Sequence, residues 1–247
     1  MGKQITKRFL GQVSHRMARR YILLPFTVPM GIRRLEVWYS FDAPLSNRID
    51  LGLFDPRGYE FPASEGFRGW SGSAREHIVV TEHGASPGYL PGPLVPGIWH
   101  VLLGLAQVSS SGCRYCVEVL LSEEEGPLPE RGFSAKKLLT GHSRFQIRTG
   151  PRWFRGDLHT HTQHSDAWCS VGELVAAARR RCLDFIAVTD HNTISHHLDL
   201  MAVDASDLLI IPGEEITTYF GHANAWGVRN WLDFRCSFCP VSYTHLR

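Results

Sequence analysis

Between about Tyr21 and Leu121, apolar and polar residues alternate in short runs separated by Gly and Pro. The clearest are Leu35-Glu36-Val37-Trp38-Tyr39, Ile49-Asp50-Leu51-Gly52-Leu53-Phe54, Ile98-Trp99-His100-Val101-Leu102-Leu103 and Tyr115-Cys116-Val117-Glu118-Val119-Leu120-Leu121. Successive side chains of a strand point to opposite faces, so evenly spaced runs of this kind predict an antiparallel β-sandwich over residues 21–123. Asp55-Pro56-Arg57-Gly58, Pro91-Gly92-Pro93 and Pro96-Gly97 supply the turn chemistry between runs. No helix is needed before about residue 134. Glu123-Glu124-Glu125-Gly126-Pro127 breaks the pattern with charge and a turn pair, which opens a linker over residues 124–152.

Beyond Trp153 the pattern changes to strand, helix, strand, and a second domain is expected over residues 153–235. Trp153-Phe154-Arg155-Gly156-Asp157-Leu158-His159 reads as a strand. Ser170 with Glu173 forms a capping box opening a helix whose Val171, Leu174, Val175 and Ala178 share one face, ending near Cys182. Phe185-Ile186-Ala187-Val188-Thr189 is a continuous apolar run, and Leu208-Leu209-Ile210-Ile211 repeats it. Strands buried on both faces and alternating with helices predict parallel β/α units.

Composition changes this picture little. With 247 residues, 43% hydrophobic and 20% charged, the chain has room for two modest globular domains. The net charge of +2 is set by residues 1–20, which hold Lys3, Lys7, Arg8, Arg16, Arg19 and Arg20 and no acid. This basic arm is expected to be a solvated terminus rather than a nucleic-acid or lipid contact. No run of about 18 apolar residues and no secretory core occurs, so a cytoplasmic protein without a membrane span is expected. Cys113/Cys116 and Cys236/Cys239 have the C-x2-C spacing of a four-thiolate zinc site. Free thiols are the better expectation, because residues three apart on a strand face opposite ways. Trp70 and Tyr89 could stack on a ligand, although burial is the commoner fate of such rings.

Histidine is what singles out the second domain, because seven of the thirteen fall within residues 159–222. Asp157-Leu158-His159-Thr160-His161 sets two imidazoles two residues apart on an extended segment, hence on one face where both reach the same cation. Asp166 follows in a loop and offers a hard oxygen. Thr189-Asp190-His191-Asn192 places His191 just past an apolar strand. Gly213-Glu214-Glu215-Ile216-Thr217 does the same for carboxylates, and Gly221-His222 opens a further segment. In parallel β/α folds the C-terminal strand ends share one rim, so these residues are expected to converge there. His164, His196 and His197 align with no strand end and are read as surface or loop residues.

Asp157-Leu158-His159-Thr160-His161, His164-Ser165-Asp166, Thr189-Asp190-His191-Asn192, Pro212-Gly213-Glu214-Glu215 and Gly221-His222-Ala223-Asn224 resemble, in order and approximate spacing, successive motifs of the polymerase and histidinol phosphatase (PHP) family. The carbaryl-hydrolase-like subgroup is the most similar, since it too carries a β-sandwich ahead of the PHP domain. The resemblance implies a multidomain fold, an antiparallel β-sandwich followed by the first half of a distorted (β/α)7 barrel. It implies that His159, His161, Asp166, His191, Glu215 and His222 hold two or three divalent ions, zinc, manganese or iron, with fewer possible here. Glu215 is preferred over Glu214 because Ile216 and Thr217 follow it as in the family. Asp157, Asp190 and Asn224 are placed around the ligands, the two aspartates where they could accept an imidazole hydrogen bond and fix its tautomer.

The implied reaction is hydrolysis of a small-molecule phosphoester or carboxylic or carbamate ester by a metal-bound hydroxide, without a Ser or Cys nucleophile. The alternative is a non-catalytic metal- or ligand-binding protein in which the β-sandwich does the recognition. No basic, aromatic-interleaved surface accompanies the motifs, which argues against nucleic acid. The family's last ligands, a His and an Asp-x-His pair, are absent from the 95 residues beyond residue 152. Asp166-Ala167 stands where the family usually has Asp-Gly. Residues 236–247 depart from everything before them, with Val241-Ser242-Tyr243-Thr244-His245-Leu246-Arg247 reading as a translated sequencing adapter. A non-native tail, a truncated barrel with unpaired strand edges and an incomplete metal cluster, which leaves open whether the chain as given is active, are therefore expected.

Overall fold

A computed structural model of the chain describes residues 4–63, 65–128, 133–134 and 153–235. Most of the expected linker lies outside these residues, as do the 236–247 tail and Cys236/Cys239. Ten strands build the first domain: β1 (Gln4–Val13), β2 (Tyr21–Val28), β3 (Arg34–Phe41), β4 (Arg48–Phe54), β5 (Phe67–Gly72), β6 (His77–Thr81), β7 (Gly84–Ala85), β8 (Gly97–Gln107), β9 (Cys113–Ser122) and β10 (Phe133–Ser134). They form a six-stranded sheet in the order β1-β9-β3-β6-β7-β10 and a four-stranded sheet in the order β2-β8-β4-β5. Period-two alternation explains the core between the sheets. Leu35, Val37 and Tyr39 of β3 and Val117, Val119 and Leu121 of β9 share one buried cluster with Ile49, Leu51 and Leu53 of β4 and Trp99, Val101, Leu103 and Leu105 of β8.

The basic arm is corrected by the fold. Residues 4–13 pair with β9 along its whole length, from Gln4↔Ser122 to Val13↔Cys113. Ile5, Phe9 and Val13 face the core. Lys7, which is exposed, and Gly11 interrupt this row, so the alternation is hidden, and the Lys7 ammonium lies 5.6 Å from the Phe9 ring centroid. Cationic side chains on this outermost strand also deter pairing with another sheet edge. The linker expected from residue 124 contributes β10, which pairs with β7. Trp70 and Tyr89 are buried, and Cys113 and Cys116 are free thiols.

The second domain contains β11 (Gly156–Thr160), α1 (Val171–Arg180), β12 (Phe185–Val188), α2 (His196–Ala202), β13 (Leu209–Thr218) and β14 (Gly221–Trp226), with strand order β11-β12-β13-β14. The first three strands are parallel, as the apolar runs predict. The fourth is not: β14 folds back antiparallel on β13, with Glu215 opposite Asn224 and Thr217 opposite His222. The capping box at Ser170 and Glu173 is formed. Val175 and Ala178 of α1 pack on Ile186, Val188 and Leu208. Among the described residues no helix is long and apolar enough to cross a membrane.

The outer face of the β2-β8-β4-β5 sheet is where the domains meet. Phe54, Phe67, Trp70 and Leu102 form a second cluster with Trp231 and Phe234, and Phe67 stacks on Trp231 at 3.9 Å between ring centroids. Gly104 of β8 leaves room for Tyr219: a Cβ there would lie 2.2 Å from the tyrosine oxygen. Through that gap the Tyr219 hydroxyl donates to Asp50 Oδ2 at 3.0 Å.

Burial pushes the Asp50 carboxyl up to about 6, against the hydrogen bond from Tyr219 and the charge of Arg48. Its folded value therefore lies above the ordinary aspartate value of about 3.9. The stabilisation it gives is complete below about pH 4 and is lost as pH rises through 6. Asp50→Asn, which keeps the acceptor, is expected to match the wild type in urea unfolding at pH 4 and to exceed it above pH 7.

Candidate metal centre

Five of the six residues expected as ligands are delivered by a strand or the segment just past one, and Asp166 comes from the loop after β11. His159 lies within β11 and His161 one residue past it. Thr160 between them is held by its hydroxyl to the Ala187 carbonyl at 2.6 Å, and its own carbonyl accepts from the Thr189 N–H. That pairing turns both imidazoles toward one side. Asp166 stands in the turn after β11, and His191 follows β12, where it makes an isolated parallel bridge with Glu215. Glu215 lies just past the last residue of β13 paired with β12, Pro212. His222 projects from β14 beside it.

The six side chains converge. Three imidazole nitrogens approach Glu215 Oε2, His159 Nε2 at 3.1 Å, His161 Nε2 at 3.1 Å and His191 Nδ1 at 3.0 Å. His222 Nδ1 lies 3.0 Å from Oε1. Asp166 closes the opposite side, with Oδ1 at 3.1 Å from His161 Nδ1 and Oδ2 at 3.6 Å from His191 Nε2. His159 Nε2 and His161 Nε2 are only 2.8 Å apart. Three overlapping groups able to hold an ion result: His159, His161 and Glu215; His161, Asp166 and His191; His191, Glu215 and His222.

These spacings fit a metal. Nitrogen and oxygen ligands at about 2.0–2.2 Å from a zinc-like ion lie roughly 3–3.5 Å from one another, the range seen here. Two ring nitrogens and a carboxylate oxygen aimed at a common point are poorly satisfied by hydrogen bonds alone, because a neutral imidazole has one donor to give. Mixed imidazole and carboxylate donors suit zinc, manganese or iron better than calcium or magnesium. Burial raises the Glu215 carboxyl, but the imidazoles of His159, His191 and His161 outweigh it and hold the group below the usual range. Burial, reinforced by His161, lowers His191, which favours the neutral form that ligates.

Glu214 faces the other way, as strand alternation requires. It is buried, accepts from the Leu232 N–H at 2.9 Å, and burial lifts its carboxyl to about 8. The choice between adjacent glutamates is thus one of face.

The surrounding residues depart from expectation. Asp157 is exposed and accepts from the backbone N–H of His159 at 3.0 Å rather than from an imidazole. Asp190 is fully buried and does not bond to His191. It accepts from the Thr162 N–H at 2.8 Å, the Thr162 hydroxyl at 2.7 Å and the Ser165 hydroxyl at 2.6 Å. The loop carrying His161 and Asp166 is therefore tied to the end of β12. Asn224 stands opposite Glu215 in register, and its Oδ1 is buried with no partner among the described residues.

His164 and His196 are buried, not at the surface, and His197 is part-buried. His164 bridges Ser195 Oγ at 2.8 Å and Asp199 Oδ2 at 3.1 Å, and Ser195 Oγ accepts from the Gly88 N–H of the sandwich. His196 Nδ1 lies 3.1 Å from Asp190 Oδ2 without the alignment of a hydrogen bond, and burial drives its pKa down to about 3. Two further residues complete the site. Thr217 places its hydroxyl on His191 Nδ1. Asn192, at φ +54°, spans both backbone groups of Thr217 with its amide. Asparagine tolerates that left-handed conformation, so its place directly after a strand-end histidine was the available signal.

A cleft of about 690 Å³ opens beside the cluster, between the two domains. Asp166, His191 and His222 line one side, and Arg48, Asp50 and Trp70 of the sandwich line the other.

Residues 157–232 match the sequence profile of the PHP domain, which supports PHP family membership. That domain occurs in metal-dependent phosphoesterases and hydrolases. No curated protein matches the chain. Among solved structures it has a likeness to PliG of Aeromonas hydrophila, a periplasmic lysozyme inhibitor of g-type lysozyme, at 14% identity and a TM-score of 0.28. The match covers 49% of this chain and 84% of that one.

Asp190→Ala would leave the Thr162 and Ser165 donors buried without an acceptor. A loss of at least about 2 kcal/mol in chemical unfolding is expected, with Asp190→Asn, which keeps one acceptor, intermediate.

Proposed function

We propose that the chain is a divalent-metal-dependent hydrolase of a small-molecule phosphoester or carboxylic or carbamate ester, of the carbaryl-hydrolase-like PHP type. The observation that carries this reading is the buried Glu215 carboxylate facing four imidazoles, with Asp166 closing the group. A purely structural zinc site needs four ligands in one closed set. Six ligands in three overlapping sets, with His159 and His222 about half exposed, suit a cluster open to substrate.

When bound, two or three divalent ions would activate a water and stabilise the charge that develops on the ester oxygens. His159, His161, Asp166, His191, Glu215 and His222 would hold them. Thr217 fixes the His191 ring. Asp190 fixes the loop that presents His161 and Asp166, so the cluster is held on rigid elements before substrate arrives. The part-exposed edge formed by His159 and His222 leaves the approach free, and the interdomain cleft confines the substrate beside it. The first half of a distorted (β/α)7 barrel is the fold this reading implies for the second domain.

The test combines metal content with turnover. The purified full chain is expected to retain manganese or zinc and to hydrolyse 4-nitrophenyl phosphate, 4-nitrophenyl acetate or a naphthyl carbamate. Glu215→Ala and His159→Ala are expected to lower metal content and to reduce turnover at least a hundredfold. Activity equal to wild type in both variants would reject the assignment. Metal retention with no turnover of any ester would favour the non-catalytic binding protein instead.

A further inference from the structure

The sandwich wall of the cleft carries chemistry that the metal cluster does not use. On β4, side chains alternate between the two faces of the sheet: Ile49, Leu51 and Leu53 fill the sandwich core, and Arg48 and Asp50 point the other way, into the cleft. Such an outward face is ordinarily solvated. Here the second domain approaches it, so Asp50 is buried, while Arg48 keeps an exposed side chain on the wall of the cleft.

Arg48 is the distinctive member. Its guanidinium is exposed and makes no hydrogen bond or salt bridge with any described residue, while its charge acts on the nearby Asp50 carboxyl. The neighbouring carboxylate is engaged elsewhere, since Asp50 Oδ2 accepts the Tyr219 hydroxyl. The second cleft arginine, Arg75, is spent on structure, donating to the Pro87 and Gln163 carbonyls. The lining also includes the aromatic side chains Tyr21, Trp70, Trp168 and Phe234. A volume of about 690 Å³ suits one small organic molecule.

Resting on the hydrolase reading for the ester itself, we infer that the substrate is an anionic ester. Arg48 grips an oxyanion, carboxylate or phosphate, at the end remote from the scissile bond, and the aromatic lining receives a flat apolar body between the two. The guanidinium fork matches two oxygens of such a group. Arg48 is in this account a specificity residue supplied by the sandwich, which gives that domain a part in recognition.

Binding to the metal-free full chain, stripped with a chelator, tests this apart from catalysis. Benzoate and phenyl phosphate are the anionic probes, and benzamide is the neutral control, each titrated calorimetrically. Wild type is expected to bind at least one anion more tightly than benzamide, and the preferred anion tells carboxylate from phosphate. Arg48→Ala and Arg48→Gln are expected to weaken that anion at least tenfold, with Arg48→Lys recovering part of the loss and benzamide unchanged. Circular dichroism of each variant excludes misfolding. Anion affinity equal in wild type and both variants, or no preference of wild type for anion over benzamide, would overturn the inference. Turnover by the metal-loaded wild type is scored separately. An inactive chain whose anion affinity depends on Arg48 would reject the hydrolase reading and leave the anion site standing.

Discussion

A carboxylate withdrawn from water is costly unless opposite charge or donors surround it, and Glu215 is the carboxylate around which the second domain is arranged. It stands at the point where β13 leaves its parallel partner and turns into a hairpin. That position lets a neighbouring parallel strand end, a hairpin partner and the β11 segment all reach it. His191 arrives from the first, His222 from the second, and His159 and His161 from the third. The ligand set is a consequence of strand order as much as of residue type.

The polar groups behind the cluster do a different job from the groups in it. Asp190 gathers backbone and hydroxyl donors from the 162–165 loop. Asn192 ties the segment after β12 to β13, and Trp231 donates to the Asn192 carbonyl at 3.0 Å while stacking on Phe67 of the sandwich. A continuous line of contacts thus runs from the His191 loop to the sheet of the other domain. The metal-facing side chains inherit rigidity from a core they do not touch.

The sandwich, the parallel strand runs and the six convergent residues were legible in the sequence because each depends on a short-range rule. Alternation gives faces, and strand ends give a rim. What escaped depends on partners distant along the chain. Lys7 and Gly11 interrupt the row of Ile5, Phe9 and Val13 on β1 and mask its period, so a strand reads as a charged arm. His164 and His196 looked superficial because no strand end aligns with them. They are buried through Ser195, Asp199 and Asp190, none of which a local pattern nominates. The antiparallel return of β14 follows from a tight turn at Tyr219-Phe220, which the apolar runs by themselves do not announce. One sign of the second layer was present: Ile98 to Leu103 is nearly unbroken in apolar character apart from His100, and strands so composed are covered on both faces.

The missing side chain at Gly104 has a mechanical corollary. Because the Tyr219 hydroxyl enters the space a methyl group would fill and anchors on Asp50 beneath, the two domains are keyed together at a point inside the sheet. A bolt of this kind resists sliding of one layer over the other. The spacing between the histidine cluster and the facing wall is thereby set by a contact between the domains themselves.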